Sequence, residues 1–206
     1  MTNTLKSVHL LREQSRVTQS GLRRGHELGL STLQIEVLAL LSDGLTVHQA
    51  AARLGTTADT VRYRALATRE AMGLGGATRG ERGARAATVS RLFAAGVLPV
   101  LPSTAPGFTL VKLTRREAQV ALGMAVGAGN EKIAARLDVT TATVKSHAHS
   151  LTAALGANGR AHAVRRAFEL GLLQATPPLD GEEGVLCSVW VRQFRDADWW
   201  LSAPLR

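Results

Sequence analysis

The sequence predicts an all-α protein: two tandem four-helix helix-turn-helix domains, preceded by an N-terminal helix and followed by a Trp-rich C-terminal tail. Three observations carry this. Apolar residues recur at helical spacing through most of the chain. Glycines stand where each helical pattern stops, as helix C-termini favour. The chain also repeats itself: shifted by 83 residues, LSTLQIEVLALLSDGLTVHQAAARLGTTADTVRYRALATREAMG from Leu30 falls on LTRREAQVALGMAVGAGNEKIAARLDVTTATVKSHAHSLTAALG from Leu113. Ala51-Ala52-Arg53-Leu54 recurs as Ala134-Ala135-Arg136-Leu137, and Gly44, Thr57, Thr60, Val61 and Gly73 recur at the same offset.

The elements follow in order. Thr4 to about Val17 places Leu5, Val8, Leu10 and Leu11 near helical spacing and reads as an amphipathic N-terminal helix within a leading segment of residues 1–29. The first domain, residues 30–98, reads as helices over Thr32–Ser42, Val47–Leu54, Ala58–Met72 and Ala86–Ala95. The last pairs with the second copy at an offset of 75, so the first copy carries an insertion over about residues 74–83. Residues 99–112 hold three prolines and read as a linker. The second domain, residues 113–173, reads as helices over Arg115–Val126, Asn130–Leu137, Thr141–Leu155 and Ala161–Leu170. Thr57 and Thr140 stand as N-caps of the two third helices. Gly44, Gly73, Gly96, Gly127, Gly156 and Gly171 are expected in left-handed turns. Two copies of this size are two small domains, since a solenoid needs at least three stacking units. No strand pattern competes before residue 184. In the tail, residues 174–206, the alternation in VLCSVWVRQF reads as a strand, and all three tryptophans lie there.

The 206 residues are 45% hydrophobic, enough for a core in each domain. The formal charge is +9; residues 1–176 hold 22 basic and 11 acidic side chains, whereas residues 177–206 hold 3 and 5. A basic body calls for a polyanionic partner, nucleic acid before an anionic membrane surface. Cys187 is the only cysteine, which excludes an intrachain disulfide and a multi-cysteine zinc site. No apolar run is long enough to span a bilayer, and charges interrupt the N-terminal apolar residues as they would not in a signal peptide. A cytoplasmic protein without a membrane partner is the expectation.

A short helix ending in Ala-Ala-Arg-Leu, a tight turn and a longer Thr-capped helix make the helix-turn-helix pattern. On the longer helix of the second copy, Val144, Ala148, Leu151 and Leu155 form a stripe to bury, leaving Thr143, Lys145, Ser146, His149 and Thr152 to face outward. Such a helix fits the major groove of a B-form duplex, where short polar and basic side chains reach phosphates and base edges.

The second copy resembles the LuxR-type (GerE-type) DNA-binding domain over its four-helix length, in LTRREAQV, in NEKIAARLDVTTATVKSHAHSLTAALGANGRAHAV with its Thr-Val-Lys-x-His, and in the closing ELGLL. The first copy resembles it in Leu30, Glu36, Gly44, the Ala-Ala-Arg-Leu block and Thr60-Val61. The resemblance implies that Lys145, Ser146 and His149 read the major groove, and that Thr143, Lys132 and Arg160 hold phosphates. The matching positions of the first copy are Arg62, Tyr63 and Leu66 for bases, and Thr60, Gln49 and Arg85 for phosphates; Arg64 replaces His147. Leu66 leaves two outcomes open: contact with a thymine methyl, or a helix that does not read bases.

The family pairs through its fourth helix on a two-fold site. Here the two copies are expected to pair within one chain through Val89, Leu92 and Phe93 against Val164, Phe168 and Leu172, in inverted or direct orientation. Half-sites one turn apart lie about 34 Å from each other. A 14-residue linker extends to about 45 Å at roughly 3.3 Å per residue, so it spans them. The expected function is a sequence-specific regulator of transcription on double-stranded DNA, as a monomer acting as a pseudo-dimer or as a homodimer. The alternative is an adaptor that holds RNA polymerase, a sigma factor or another regulator through these folds and Trp190, Trp199 and Trp200.

Other chemistries lack their residues. His147 and His149, two apart on a helix, point in different directions, and no cysteine or carboxylate joins them with His162, so neither metal nor cofactor is expected. The Gly-rich stretch after Met72 lacks the Gly-Lys-Ser/Thr ending of a phosphate loop and follows a helix where that loop follows a strand. Glu117 and Glu131 sit in first helical turns, where carboxylates favour the dipole. No nucleophile, base and orienting group stand together, so the chain is not expected to be an enzyme.

Overall fold

A computed structural model describes residues 17–74, 84–99, 111–175 and 189–191. Helix α1 spans Gln19–Glu27. The first unit follows as α2 (Thr32–Ser42), α3 (Val47–Leu54), α4 (Ala58–Ala71) and α5 (Ala84–Ala94). The second comprises α6 (Arg115–Ala125), α7 (Asn130–Leu137), α8 (Thr141–Ala154) and α9 (Arg160–Glu169). Strands β1 (Leu173–Ala175) and β2 (Val189–Val191) pair antiparallel, with Leu173 opposite Val191, Gln174 opposite Trp190 and Ala175 opposite Val189. The fold is all-α apart from this ribbon, and all eight expected domain helices form with ends within two residues of expectation. The expectation of no strand before residue 184 is corrected by β1, whose three residues are too few to show an alternation.

Caps explain the boundaries. Ser31, Thr46 and Thr114 build capping boxes with Gln34, Gln49 and Glu117, each side chain accepting from the other residue's backbone N–H. Glu117 thus has the capping role its position suggests. Thr57 and Thr140 accept from the N–H of Thr60 and Thr143, at 3.2 and 3.1 Å. The six glycines expected in left-handed turns all have positive φ, between 60° and 87°.

The expected N-terminal helix over Thr4–Val17 lies outside the described residues except for Val17, which is not helical. Helix α1 begins just after it. Its buried face is glycine: a Cβ on Gly21 would run into the carbonyl oxygen of Val97, and one on Gly25 into the Ile35 side chain. The helix backbone therefore lies directly against α2 and the chain following α5.

Both units share one core, from Leu30 to Leu173. Helices α5 and α9 meet along its centre, where Phe93 and Phe168 stack with ring centroids 5.0 Å apart and planes inclined by 15°. The expected partners Val89, Leu92 and Val164 are buried in this core, and Leu172 packs on it. Helix α5 also touches α6 of the second unit, while α9 touches α2 of the first. Each fourth helix thus meets the other unit's fourth and first helices, which is the reciprocity of an isologous, two-fold pair. The ribbon closes one end, with β1 on α5 and α9 and β2 on α6.

The two sides of this seam are chemically different. Arg165 of α9, 1% exposed, forms ion pairs with Asp43 at 2.9 Å and Glu169 at 2.8 Å and donates to Ser42 Oγ at 2.7 Å. Ser90 takes the matching place in α5 and is buried without a charge. Beside Arg165, the His162 ring packs on Gly44 and its Nδ1 accepts from the N–H of Asn158 at 3.1 Å. Burial lowers the His162 pKa and outweighs the opposing pull of Asp43; Arg166 and Arg165 add to the lowering, and Glu169 opposes it. The unfolded chain then takes up a proton near pH 6.5 that the folded ring refuses, so stability is full above that pH and falls as pH drops toward the lowered folded value. Thermal melts between pH 8 and 5 are expected to show this loss, and His162→Gln to flatten it.

Candidate nucleic-acid interface

The two helices of the second unit's helix-turn-helix are α7 and α8. Between them the chain passes through a left-handed residue, Asp138, with φ 52° and ψ 52°; Gly55 does the same in the first unit, with φ 61° and ψ 37°. Aspartate is among the few side chains that tolerate this region, so the bend survives the loss of glycine. Thr140 then starts α8, and its hydroxyl also bonds Thr143 Oγ1 at 2.9 Å.

Helix α8 divides as its sequence requires. Val144, Leu151 and Leu155 are buried, with Ala148 packed against the core beside them. Lys145, Ser146 and His149 are exposed; spacings of three and four put them on adjoining turns of one face. Thr143 is half-buried at the edge of this face, while Lys132 is exposed on α7. Thr152 returns its hydroxyl to the carbonyls of Ala148 and His149.

Arg160 lies elsewhere. Its guanidinium turns into the fold, donating to Ala128 O at 2.7 Å and Asn130 Oδ1 at 3.1 Å, and desolvation lowers its pKa to about 10. It ties the start of α9 to the start of α7. The resemblance implies a phosphate contact at this position; in the fold the groups that accept from Arg160 are Ala128 O in the α6–α7 turn and Asn130 Oδ1 at the start of α7.

In the first unit α4 presents Arg62 and Tyr63, the latter 71% exposed, with Leu66 at 38%. Thr60 and Arg64 are half-buried, and Arg85 is exposed on the first turn of α5. Arg62 pairs with Asp59 at the surface, an interaction worth at most about 1 kcal/mol. Arg62 and Arg85 share a cleft with Arg69, which the sequence reading missed. Its spacing of seven from Arg62, two turns along one face, is the signal that identifies it.

Residues 111–167 match the family model described as GerE: Bacterial regulatory proteins, luxR family. The match covers α6 to α8 and most of α9, including every candidate residue of the second unit. Over these residues the chain is similar to the helix-turn-helix domain of that family. No curated protein and no solved structure matches the chain. Among the described residues no helix is long and apolar enough to cross a membrane.

Proposed function

We propose that the chain is a regulator of transcription that binds double-stranded DNA with two helix-turn-helix units, residues 30–98 and 113–173, joined by the linker 99–112 and acting as a pseudo-dimer. The observation that carries this is the α8 surface: a helix buried along one side offers Lys145, Ser146 and His149 together on the other, within the span matched to a family of regulatory proteins. Lys145 reads a base edge, with Ser146 and His149 beside it and Thr143 and Lys132 on the flanking backbone. Arg160 supports the surface from within.

The reciprocal seam supports an inverted arrangement of the two units. Fourth helices that would otherwise pair two chains already face each other inside one, so one chain suffices for one two-fold site. Arg62, Tyr63, Thr60, Arg64 and Arg85 form the first unit's side of that contact.

Selection of bound sequences from a random duplex library tests this reading; the expected outcome is an enriched motif with two half-sites bound by one chain. Lys145→Ala is expected to weaken binding to that motif by about 1–3 kcal/mol and to relax preference at one base pair. Recovery of no sequence preference would overturn the reading. The exposed Tyr63 and Leu66 favour a second function, an adaptor for RNA polymerase or another regulator; a chain whose affinity for random duplex ignores salt has that function instead.

A further inference from the structure

A cleft opens between α4 and α5, floored by Leu38 of α2 and walled by Arg62, Leu66 and Arg69 of α4 and by Arg85 and Thr88 of α5. Arg62, Leu66 and Arg69 follow i, i+4, i+7 spacing and so share one helix face. Among the described residues three guanidinium groups and no carboxylate line this cleft. A guanidinium held beside apolar walls without a partner costs free energy that a bound anion returns.

The corresponding place in the second unit has lost this character. Thr152 stands where Arg69 does, with its hydroxyl committed to its own helix. Arg160 stands where Arg85 does, but Asn130 and Ala128 hold it. Val47 occupies Asn130's position in the first unit and offers no side-chain acceptor, so one of the two groups that hold Arg160 has no counterpart for Arg85. Arg85 has no hydrogen-bond or ion-pair partner among the described residues. Solvent still reaches its side chain, yet the surrounding atoms desolvate it enough to lower its pKa.

We propose that this cleft holds a backbone phosphate of bound duplex, with Arg69 and Arg85 as its principal donors and Leu66 against the adjoining deoxyribose. The assignment rests on the DNA-binding function above and refines it: the first unit gains a backbone anchor beside its half-site, and Arg69 joins the interface. It accounts for Leu66, since a side chain that lies on a sugar needs no polar group. Arg62 can exchange its weak exposed pair with Asp59 for the same phosphate. Arginine suits the task because its planar donors match two phosphate oxygens at once.

The test measures affinity of the full chain for the selected duplex and for random duplex across a salt series, in wild type, Arg69→Gln and Arg85→Gln. Each substitution is expected to weaken both duplexes equally, by about tenfold, and to reduce the slope of log K against log salt by about one. Arg85→Gln removes an exposed side chain without a partner, so it reads the cleft even if Arg69→Gln perturbs folding. Unchanged slopes in a wild type that binds duplex would overturn the cleft assignment and leave the DNA-binding function standing. A wild type that binds no duplex in dilute salt would overturn both. A third arm titrates inorganic pyrophosphate: tight binding that Arg69→Gln abolishes, with duplex slopes unmoved, assigns the cleft to a free phosphorylated ligand and overturns the proposal.

Discussion

Replacing Phe168 with Ala is expected to destabilise the chain by about 3–5 kcal/mol, because a fully packed aromatic ring leaves a cavity that its surroundings fill only in part. Phe168 is 2% exposed and its stacking partner Phe93 is 5% exposed, so the cavity opens at the seam between the units. The ring pair alone contributes about 0.5–1.5 kcal/mol beyond its buried area, which a double-mutant cycle with Phe93→Ala isolates. The functional consequence follows from position. The seam fixes where α4 and α8 stand relative to each other, so Phe168→Ala should weaken binding to a duplex with both half-sites far more than to one with a single half-site. Denaturant unfolding and duplex titration check the two effects. A cost below about 1 kcal/mol would mean that the units do not share this core in solution.

The sequence made legible whatever rests on local chemistry. Thr and Ser caps, glycines at positive φ and the buried stripe of α8 are written in residues close together in the chain, and the eight domain helices follow from them. Helix α1 escaped because the residues that dock it are Gly21 and Gly25, which weaken a helical pattern in sequence while permitting close backbone contact in the fold. Strand β1 escaped because its pairing partner lies more than a dozen residues away. The interface divides the same way. Exposure of Lys145, Ser146 and His149 follows from periodicity, but the inward turn of Arg160 depends on acceptors about thirty residues earlier. No pattern within α9 announces them.

Arg165 is where the seam's near-symmetry breaks, and removing its charge should be about as costly as removing Phe168. Arg165→Ala leaves Glu169, whose side chain is 4% exposed, still paired with Arg166 at 2.8 Å but without the Arg165 guanidinium, and takes a donor from Ser42 Oγ and a partner from Asp43. Removing one member of a buried ion cluster costs about 3–5 kcal/mol, chiefly through the charge left behind. The surviving Arg166 pair puts the expected loss at the lower end. The cluster's worth lies in specificity as much as stability: Ser90 at the matching place makes no ion pair, so this link forms across one side of the seam alone, between α9 and α2. Arg165→Met with Glu169→Leu tests that distinction. If the cluster mainly fixes register, the apolar pair should regain most of the lost stability while binding to the two-half-site duplex stays impaired. Recovery of both together would show that filling the volume at Arg165 and Glu169 is all the seam requires.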